Sequence, residues 1–334
     1  MGSVQESSSS MYPLTDEQKQ HFLERGWLKI EGAFTAEQAA PLLIDVDKRL
    51  GVDLADKSTW KQWRTNLKPT RWVRASEFAP KAWSAICELS GGEDRLDPDG
   101  SLWSDGFIVN LGDPRYDGQP ITPLEELDVW HVDGQFFVHY LDSTDQAILV
   151  VPLWTDVVPG GGPTALCPGS VATVAKWLFD HPEGCNPDMV PRGDPRFDDT
   201  YGSHFGWATE VARASAAAGG GFDSATGKVG DVYLLHPFLV HSTTRNERRL
   251  FRAITNSKTS LREPYHIYRQ DGNYSILEQS IRRGLAEKGI TEEQMKDWHI
   301  AGPREGFKPG LVNRTVPTKD DVTPVTQLAA AVSA

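Results

Sequence analysis

Trp130-His131-Val132-Asp133-Gly134 sets an imidazole and a carboxylate two positions apart. In an extended segment, residues i and i+2 share one face. His131 and Asp133 would then stand side by side and offer two ligands to one metal ion. A histidine from a distant strand would complete a two-histidine, one-carboxylate facial triad with open coordination positions, the set suited to non-haem ferrous oxygen chemistry. Taken alone, the H-x-D pattern also fits a strand-edge histidine beside a surface aspartate. Two downstream histidines, His236 and His241, compete for the third place within Gly230-Asp231-Val232-Tyr233-Leu234-Leu235-His236-Pro237-Phe238-Leu239-Val240-His241-Ser242-Thr243. Five positions apart on one regular strand, they face opposite ways, so only one can point at the metal. His241, at the end of the apolar run, suits a pocket mouth, and His236 reads as a core histidine. Arg252 follows His241 by eleven residues. From a neighbouring strand it could hold the distal carboxylate of an acidic cosubstrate through a bidentate pair. With Arg245, Arg248 and Arg249 close by, a surface salt bridge is the plainer reading of Arg252.

These side chains need a scaffold of short strands. Thr15-Asp16-Glu17-Gln18 reads as a helix start, Gly26 as its stop and Trp27–Ile30 as a strand. Thr35-Ala36-Glu37-Gln38 opens a second helix carrying Leu42, Leu43, Val46 and Leu50 at helical spacing. A Trp-rich stretch up to about Ser90 has no clear period. Strands are expected at Phe107–Leu111, in the alternating stretch Leu127–Tyr140, at Gln146–Trp154, Thr164–Cys167 and Val232–Val240, and from about Phe251; a helix is expected over 171–182. Short strands separated by Gly/Pro turns argue for a β-sandwich or barrel rather than a βαβ sheet. The expected organisation is a disordered start (1–12) and one domain over 13–315. That domain divides into a helical part to about 100, a β core over about 101–260 and an extension to 315, with an extended tail over 316–334.

Composition narrows the function classes. With 34 Lys plus Arg against 46 Asp plus Glu, the net charge of −12 and the lack of a basic run oppose a nucleic-acid partner. The longest apolar run, Ala147–Trp154, is far shorter than the ~20 residues of a membrane-spanning helix. Cys87, Cys167 and Cys185 form no C-x-x-C pair, and their odd number speaks against a disulfide framework or a cysteine zinc site. With no apolar leader visible, and Glu6 where a myristoylation signal wants Ser or Thr, a cytoplasmic location is expected. No G-x-S-x-G elbow occurs, and Gly160-Gly161-Gly162 is a turn rather than a dinucleotide fingerprint.

Taken in order, the motifs resemble the phytanoyl-CoA dioxygenase-like family of Fe(II)/2-oxoglutarate-dependent oxygenases. Leu14–Gln18 through Phe22, Gly26-Trp27-Leu28 and Phe34-Thr35 resemble its opening. Trp130–Asp133 resembles its first metal motif. Trp154 through Gly162-Pro163-Thr164 to Pro168-Gly169-Ser170 resembles its central strand and turn, and His241-Ser242-Thr243, Asn246 and Arg252 resemble its distal motif. The resemblance spans roughly residues 14–260. It implies a mainly β fold with flanking helices around a double-stranded β-helix (jelly-roll, cupin-like) core. It also implies Fe(II) on His131, Asp133 and His241, the far carboxylate of 2-oxoglutarate on Arg252, the hydroxyls of Thr164 and Thr243 beside that cosubstrate, and O2 as oxidant. The chain departs from the pattern at Val171, where the motif usually ends in His, and at Asp128 and Val129, where some relatives carry Gln. That leaves the near end of 2-oxoglutarate unassigned, with Asn110 the candidate. Asp133 itself argues against halogenation, since related halogenases lack that carboxylate.

The expected activity is oxidation, with hydroxylation as the default, of a small molecule or natural-product intermediate. Phe136, Phe137, Tyr140, Trp103, Trp72 and the 183–222 segment are the expected pocket walls, with Arg71, Arg74 and Arg115 near the mouth. Expected partners are a small-molecule substrate and, as an option, a second copy of the chain in a homodimer. The rival readings are a non-catalytic jelly-roll ligand-binding protein and a metal hydrolase on the same triad, which would leave Arg252 without a task.

Overall fold

Local signals at the start of the chain are met residue by residue in a computed structural model, which describes residues 12–197, 206–305, 322–325 and 327. Helix α1 (Asp16–Arg25) begins with a capping box between Thr15 and Gln18 and ends at Gly26, whose φ of 73° closes the helix through a hydrogen bond to the Phe22 carbonyl. Strand β1 (Trp27–Ile30) follows. The second helical run is broken rather than continuous, into α2 (Ala36–Leu43) and α3 (Val46–Leu50). The Trp-rich stretch holds β2 (Arg64–Asn66), β3 (Trp72–Arg74), α4 (Ala75–Phe78) and α5 (Pro80–Ser90).

The remaining strands are β4 (Leu102–Ser104), β5 (Ile108–Asn110), β6 (Ile148–Pro152), β7 (Thr164–Leu166), β8 (Asp223–Ala225), β9 (Val232–Leu235), β10 (His241–Thr243), β11 (Arg252–Ile254) and β12 (Ser257–Thr259). Helices α6 (Ser170–Asp180), α7 (Gly206–Ala217), α8 (Ile276–Glu287) and α9 (Glu292–Asp297) flank them. The expected disordered start, except Tyr12, and most of the expected extended tail lie outside the described residues. Val322 makes a parallel bridge to Trp72 on β3.

All strand pairs are antiparallel among the described residues, in orders β1-β9-β6-β12, β10-β7-β8, β11-β5-β2 and β3-β4. A bridge between Leu153 and Ile254 joins β11 to the edge of β6 that also receives β12, which merges the first and third sheets. A bridge between His131 and His241 extends the second sheet beyond β10. The chain thus alternates between two facing sheets, β5, β6, β9 and β11 in one and the His131 segment, β7, β8 and β10 in the other. That is the interleaved order of a jelly roll. Every residue of β6 is buried, as its all-apolar run Ile148-Leu149-Val150-Val151 demands of a central strand. Helices cover the sheets through apolar faces. Phe34 and Phe78 pack on Trp154 with ring centroids 4.9 and 5.6 Å away, while the Trp154 indole N–H donates to Thr255 Oγ1 at 3.0 Å.

Two expected strands differ. Leu127–Tyr140 forms no regular strand, only single bridges at His131 and His139, because Gly134, at φ 123°, turns the chain. Val232–Val240 stops at Leu235, since the proline after His236 cannot donate to a ladder. This break decides the competition between the two histidines. His236 is buried beside Phe22 and Phe238, and its Nδ1 accepts the Phe238 N–H at 3.0 Å, while β10 starts afresh at His241.

Candidate active site

The backbone sets the histidines side by side. His131 N–H donates to the His241 carbonyl at 2.9 Å and His241 N–H to the His131 carbonyl at 3.0 Å. Their ring centroids are 4.4 Å apart. Each ring is oriented by the carbonyl two residues before it: His131 Nδ1 lies 2.9 Å from the Val129 carbonyl and His241 Nδ1 lies 3.0 Å from the Leu239 carbonyl. A carbonyl only accepts, so both Nδ1 atoms carry hydrogen, and in the neutral rings both Nε2 lone pairs face inward. Asp133 Oδ1 sits 3.7 Å from His131 Nε2 and 3.8 Å from His241 Nε2. These separations are too long for good direct hydrogen bonds and short enough for one cation to bridge. All three ligand atoms lie within 4.8 Å of one another. His241 Nε2 is buried without a hydrogen-bond partner, a costly arrangement that a metal ion would relieve. The donor set therefore fits a divalent transition metal.

The electrostatics agree. Burial and the adjacent His241 imidazole push the His131 pKa down to about 4. For His241, burial favours the neutral ring, but the Asp133 carboxylate and the Leu239 carbonyl outweigh it and raise the pKa. One carboxylate between two imidazoles supports one proton, which accounts for the opposite directions; a metal cation would displace it. Asn256 Nδ2 donates to Asp133 Oδ2 at 3.3 Å and leaves Oδ1 turned to the histidines. Ser170 braces the other side. Its hydroxyl donates to the Cys167 carbonyl at 2.7 Å and accepts the Val240 N–H at 2.9 Å, one residue before His241. Val171 packs on the opposite side of that turn, near Gly26.

Arg252 lies on β11 opposite Asn110 of β5. It is 2 % exposed, and among the described residues no carboxylate comes within ion-pair distance of it. Its Nε donates to the Gly162 carbonyl at 2.8 Å and its Nη1 to the Ile108 carbonyl at 3.1 Å. Burial, with Arg64 nearby, lowers its pKa to about 9. Among the described residues this buried guanidinium is held by carbonyls alone, an arrangement that leaves its charge able to attract an anion. Gly162 is required there: at φ 78°, an added Cβ would come within 2.7 Å of Asn110 Nδ2.

Thr164 and Thr243 are direct partners across β7 and β10, in step with His241, so all three hydroxyl- and imidazole-bearing positions are near one another on one strand pair. Asn110 Oδ1 accepts the Gly112 N–H at 3.0 Å, and Nδ2 reaches the Thr244 carbonyl at 3.4 Å, which leaves one amide hydrogen uncommitted.

Among the expected pocket walls, Trp103 lies in the hydrophobic core at 0 % exposed, and Phe137 and Tyr140 are buried at 4 % and 2 % exposed. The three arginines expected near the mouth are neutralised by carboxylates: Arg71 by Asp45 and Asp105, Arg74 by Glu77, and Arg115 by Asp113. Sequence reasoning missed Arg64, whose Nη1 lies 3.4 Å from Thr243 Oγ1, and Asn256. Neither sits in a motif; only strand register reveals Arg64, and only the turn after β11 brings Asn256 to Asp133.

No family model matches the chain. A probable alpha-ketoglutarate-dependent hypophosphite dioxygenase from Stutzerimonas stutzeri is 24% identical over 246 residues, 71% of this chain and 75% of that protein. Among solved structures, EctD from S. alaskensis with bound Fe is 21% identical, over 77% of this chain and 79% of that one, with a TM-score of 0.43. The non-heme alpha ketoglutarate dependent epimerase SnoN from nogalamycin biosynthesis is 14% identical, over 74% of this chain and 81% of that one, with a TM-score of 0.35. No helix among the described residues is long and apolar enough to cross a membrane.

Proposed function

We propose that this chain is an Fe(II)/2-oxoglutarate-dependent dioxygenase of the phytanoyl-CoA dioxygenase-like type that oxidises a small molecule, with hydroxylation as the default outcome. The observation that carries this reading is the pairing of two features in one fold. Two inward imidazoles and a carboxylate converge, and a buried guanidinium without a carboxylate partner among the described residues stands on the adjoining sheet. His131 and His241 would donate Nε2 and Asp133 Oδ1 to the iron, and three ligands on one side leave the opposite side open to small molecules. Bound there, iron with 2-oxoglutarate would supply the oxidising chemistry, in which O2 places one oxygen atom in succinate, released with CO2, and the other on the substrate. Arg252 would clamp the far carboxylate of 2-oxoglutarate, with the Thr164 and Thr243 hydroxyls beside it and the remaining Asn110 amide hydrogen toward its near end. The protein's share is to orient these partners and to keep the deep end dry.

A hydrolase on the same triad has no use for Arg252, and a non-catalytic ligand-binding barrel has no use for the buried, unpartnered His241 Nε2. The experiment is direct. Purified protein given ferrous iron, 2-oxoglutarate and oxygen is expected to release succinate slowly even without its substrate, and His131→Ala is expected to abolish that release. Wild-type protein that binds neither iron nor 2-oxoglutarate would overturn the reading.

A further inference from the structure

Four carboxylates are buried among the described residues: Asp105, Asp231, Glu247 and Glu278. Three are matched by cations, Asp105 by Arg49 and Arg71, Asp231 by Lys29 and Glu278 by Arg95. Glu247, on the turn between β10 and β11, is the exception. It is 3 % exposed. Its Oε1 accepts the Thr122 N–H at 3.0 Å and the Thr122 hydroxyl at 2.8 Å, while its Oε2 is buried with no hydrogen-bond partner. Arg245, Arg248 and Arg249 stand close to it in the chain, and each is engaged elsewhere. Arg245 lies over the Tyr116 ring, 4.1 Å from its centroid, and donates to the Thr122 hydroxyl at 3.3 Å. Arg248 donates to the Pro159 carbonyl, and Arg249 to the Gly112 and Lys57 carbonyls. A buried carboxylate oxygen without a donor is costly to keep. It marks a place where a donor from outside the chain is a net gain.

Glu247 and Arg245 both border one cavity of about 240 Å³. That is smaller than the ~300–1,000 Å³ of sites for drug-sized ligands, and it suits a small metabolite. Apolar wall comes from Ile121 and Leu124 of the loop before the metal motif and from Pro159 and Pro163 of the turn between β6 and β7. The cavity is not the triad pocket. Ser224 of β8 is also in its wall. Ser224 pairs with Ala165, which pairs with Ser242, so it lies on the face of the β8-β7-β10 sheet opposite to His241 and Thr243. The cavity thus offers one carboxylate and one guanidinium, both bonded to the same Thr122 hydroxyl and neither in an ion pair among the described residues. A lone cation entering it is repelled by Arg245 and a lone anion by Glu247, whereas a zwitterion satisfies both.

We propose that this cavity is a second ligand site, which takes a small aliphatic α-amino acid. Its ammonium group donates to Glu247 Oε2, its carboxylate accepts from Arg245, and its side chain packs on Ile121, Leu124 and the two prolines. The site stands apart from the iron and 2-oxoglutarate reading, because none of these residues is a metal ligand or a proposed cosubstrate contact.

Calorimetry on the metal-free full chain tests this without turnover. The probes are L-valine, isobutylamine, which keeps only the ammonium, and isobutyrate, which keeps only the carboxylate. Wild type is expected to bind L-valine, and either analogue at least tenfold more weakly. Glu247→Gln keeps an acceptor for Thr122 and is expected to weaken L-valine at least tenfold. Arg245→Gln is expected to weaken L-valine at least threefold while binding isobutylamine no more weakly than wild type, a charge-by-charge split that a merely structural role would not produce. His131→Ala is expected to bind L-valine as wild type does. Wild type that binds no L-valine, or Glu247→Gln that binds it equally well, overturns the proposal. So does loss of binding in His131→Ala, which would put the amino acid on the triad. Should Glu247→Gln fail to fold, the analogues and Arg245→Gln decide in its place: analogues as tight as L-valine, or Arg245→Gln matching wild type, overturn it.

Discussion

His131 and His241 are backbone partners before they are anything else: each donates its N–H to the other's carbonyl, at 2.9 and 3.0 Å. The two imidazoles are therefore brought together by a sheet ladder, which survives loss of either ring. His131→Ala and Asp133→Ala are expected to lower Fe(II) affinity at least 100-fold in calorimetry. Circular dichroism is expected to be unchanged, because both side chains are only partly buried. An unfolded His131→Ala protein would show that the ring, and not the ladder, holds the segment.

Asn256 fixes the carboxylate through the Asp133 Oδ2 contact at 3.3 Å. Groups that orient metal ligands typically account for 10–100-fold in affinity when removed. Asn256→Ala is expected to weaken iron binding about tenfold, with the melting temperature of the metal-free protein little changed. Equal iron affinity in the variant and the wild type would mean that contacts other than Asn256 position Asp133.

Arg252 is the residue proposed to hold the far carboxylate of 2-oxoglutarate. Arg252→Gln keeps a donor for the Gly162 carbonyl but removes the charge. It is expected to leave iron affinity near the wild-type value and to raise the dissociation constant of 2-oxoglutarate at least 30-fold. Stabilisation by 2-oxoglutarate in thermal melts of the iron-loaded protein is expected in the wild type and lost in the variant. A persisting shift would place the far carboxylate elsewhere.

Acid stability is expected to run through Glu278, far from the site. Its carboxylate is fully buried, pairs with Arg95 at 3.0 Å and accepts the N–H groups of His266 and Ser275. Burial alone would raise its pKa, but these partners outweigh burial and lower it. A carboxyl depressed in the folded state binds its proton more readily when unfolded. Its contribution is thus complete above the unfolded value of about 4.3 and declines as pH falls through the folded value. Denaturant titrations from pH 7 to pH 3 are expected to show Glu278→Gln less stable than wild type at pH 7 and the difference narrowing toward pH 3. Glu278→Ala, which strands Arg95, is expected to cost about 3 kcal/mol at pH 7. A constant difference across the range would exclude the carboxylate as the titrating group.

What was legible in the residues alone was whatever depends on short-range geometry. The Thr15 and Thr35 capping boxes, the Gly26 stop, the buried run of β6 and the local His131–Asp133 pair each need only neighbours a few positions away. The His–Arg spacing was legible through resemblance, since the turn between β10 and β11 is short. Tertiary structure decided the rest. It chose His241 over His236, because the chain breaks at Pro237 and β10 pairs afresh with β7 and with His131. It spent Arg71, Arg74 and Arg115 on local carboxylates and brought unremarked Arg64 into line with Arg252. Periodicity tells which way a side chain points along its own strand; which strand lies opposite, and in what register, depends on distant chain segments burying their apolar faces together, and no local pattern encodes that pairing.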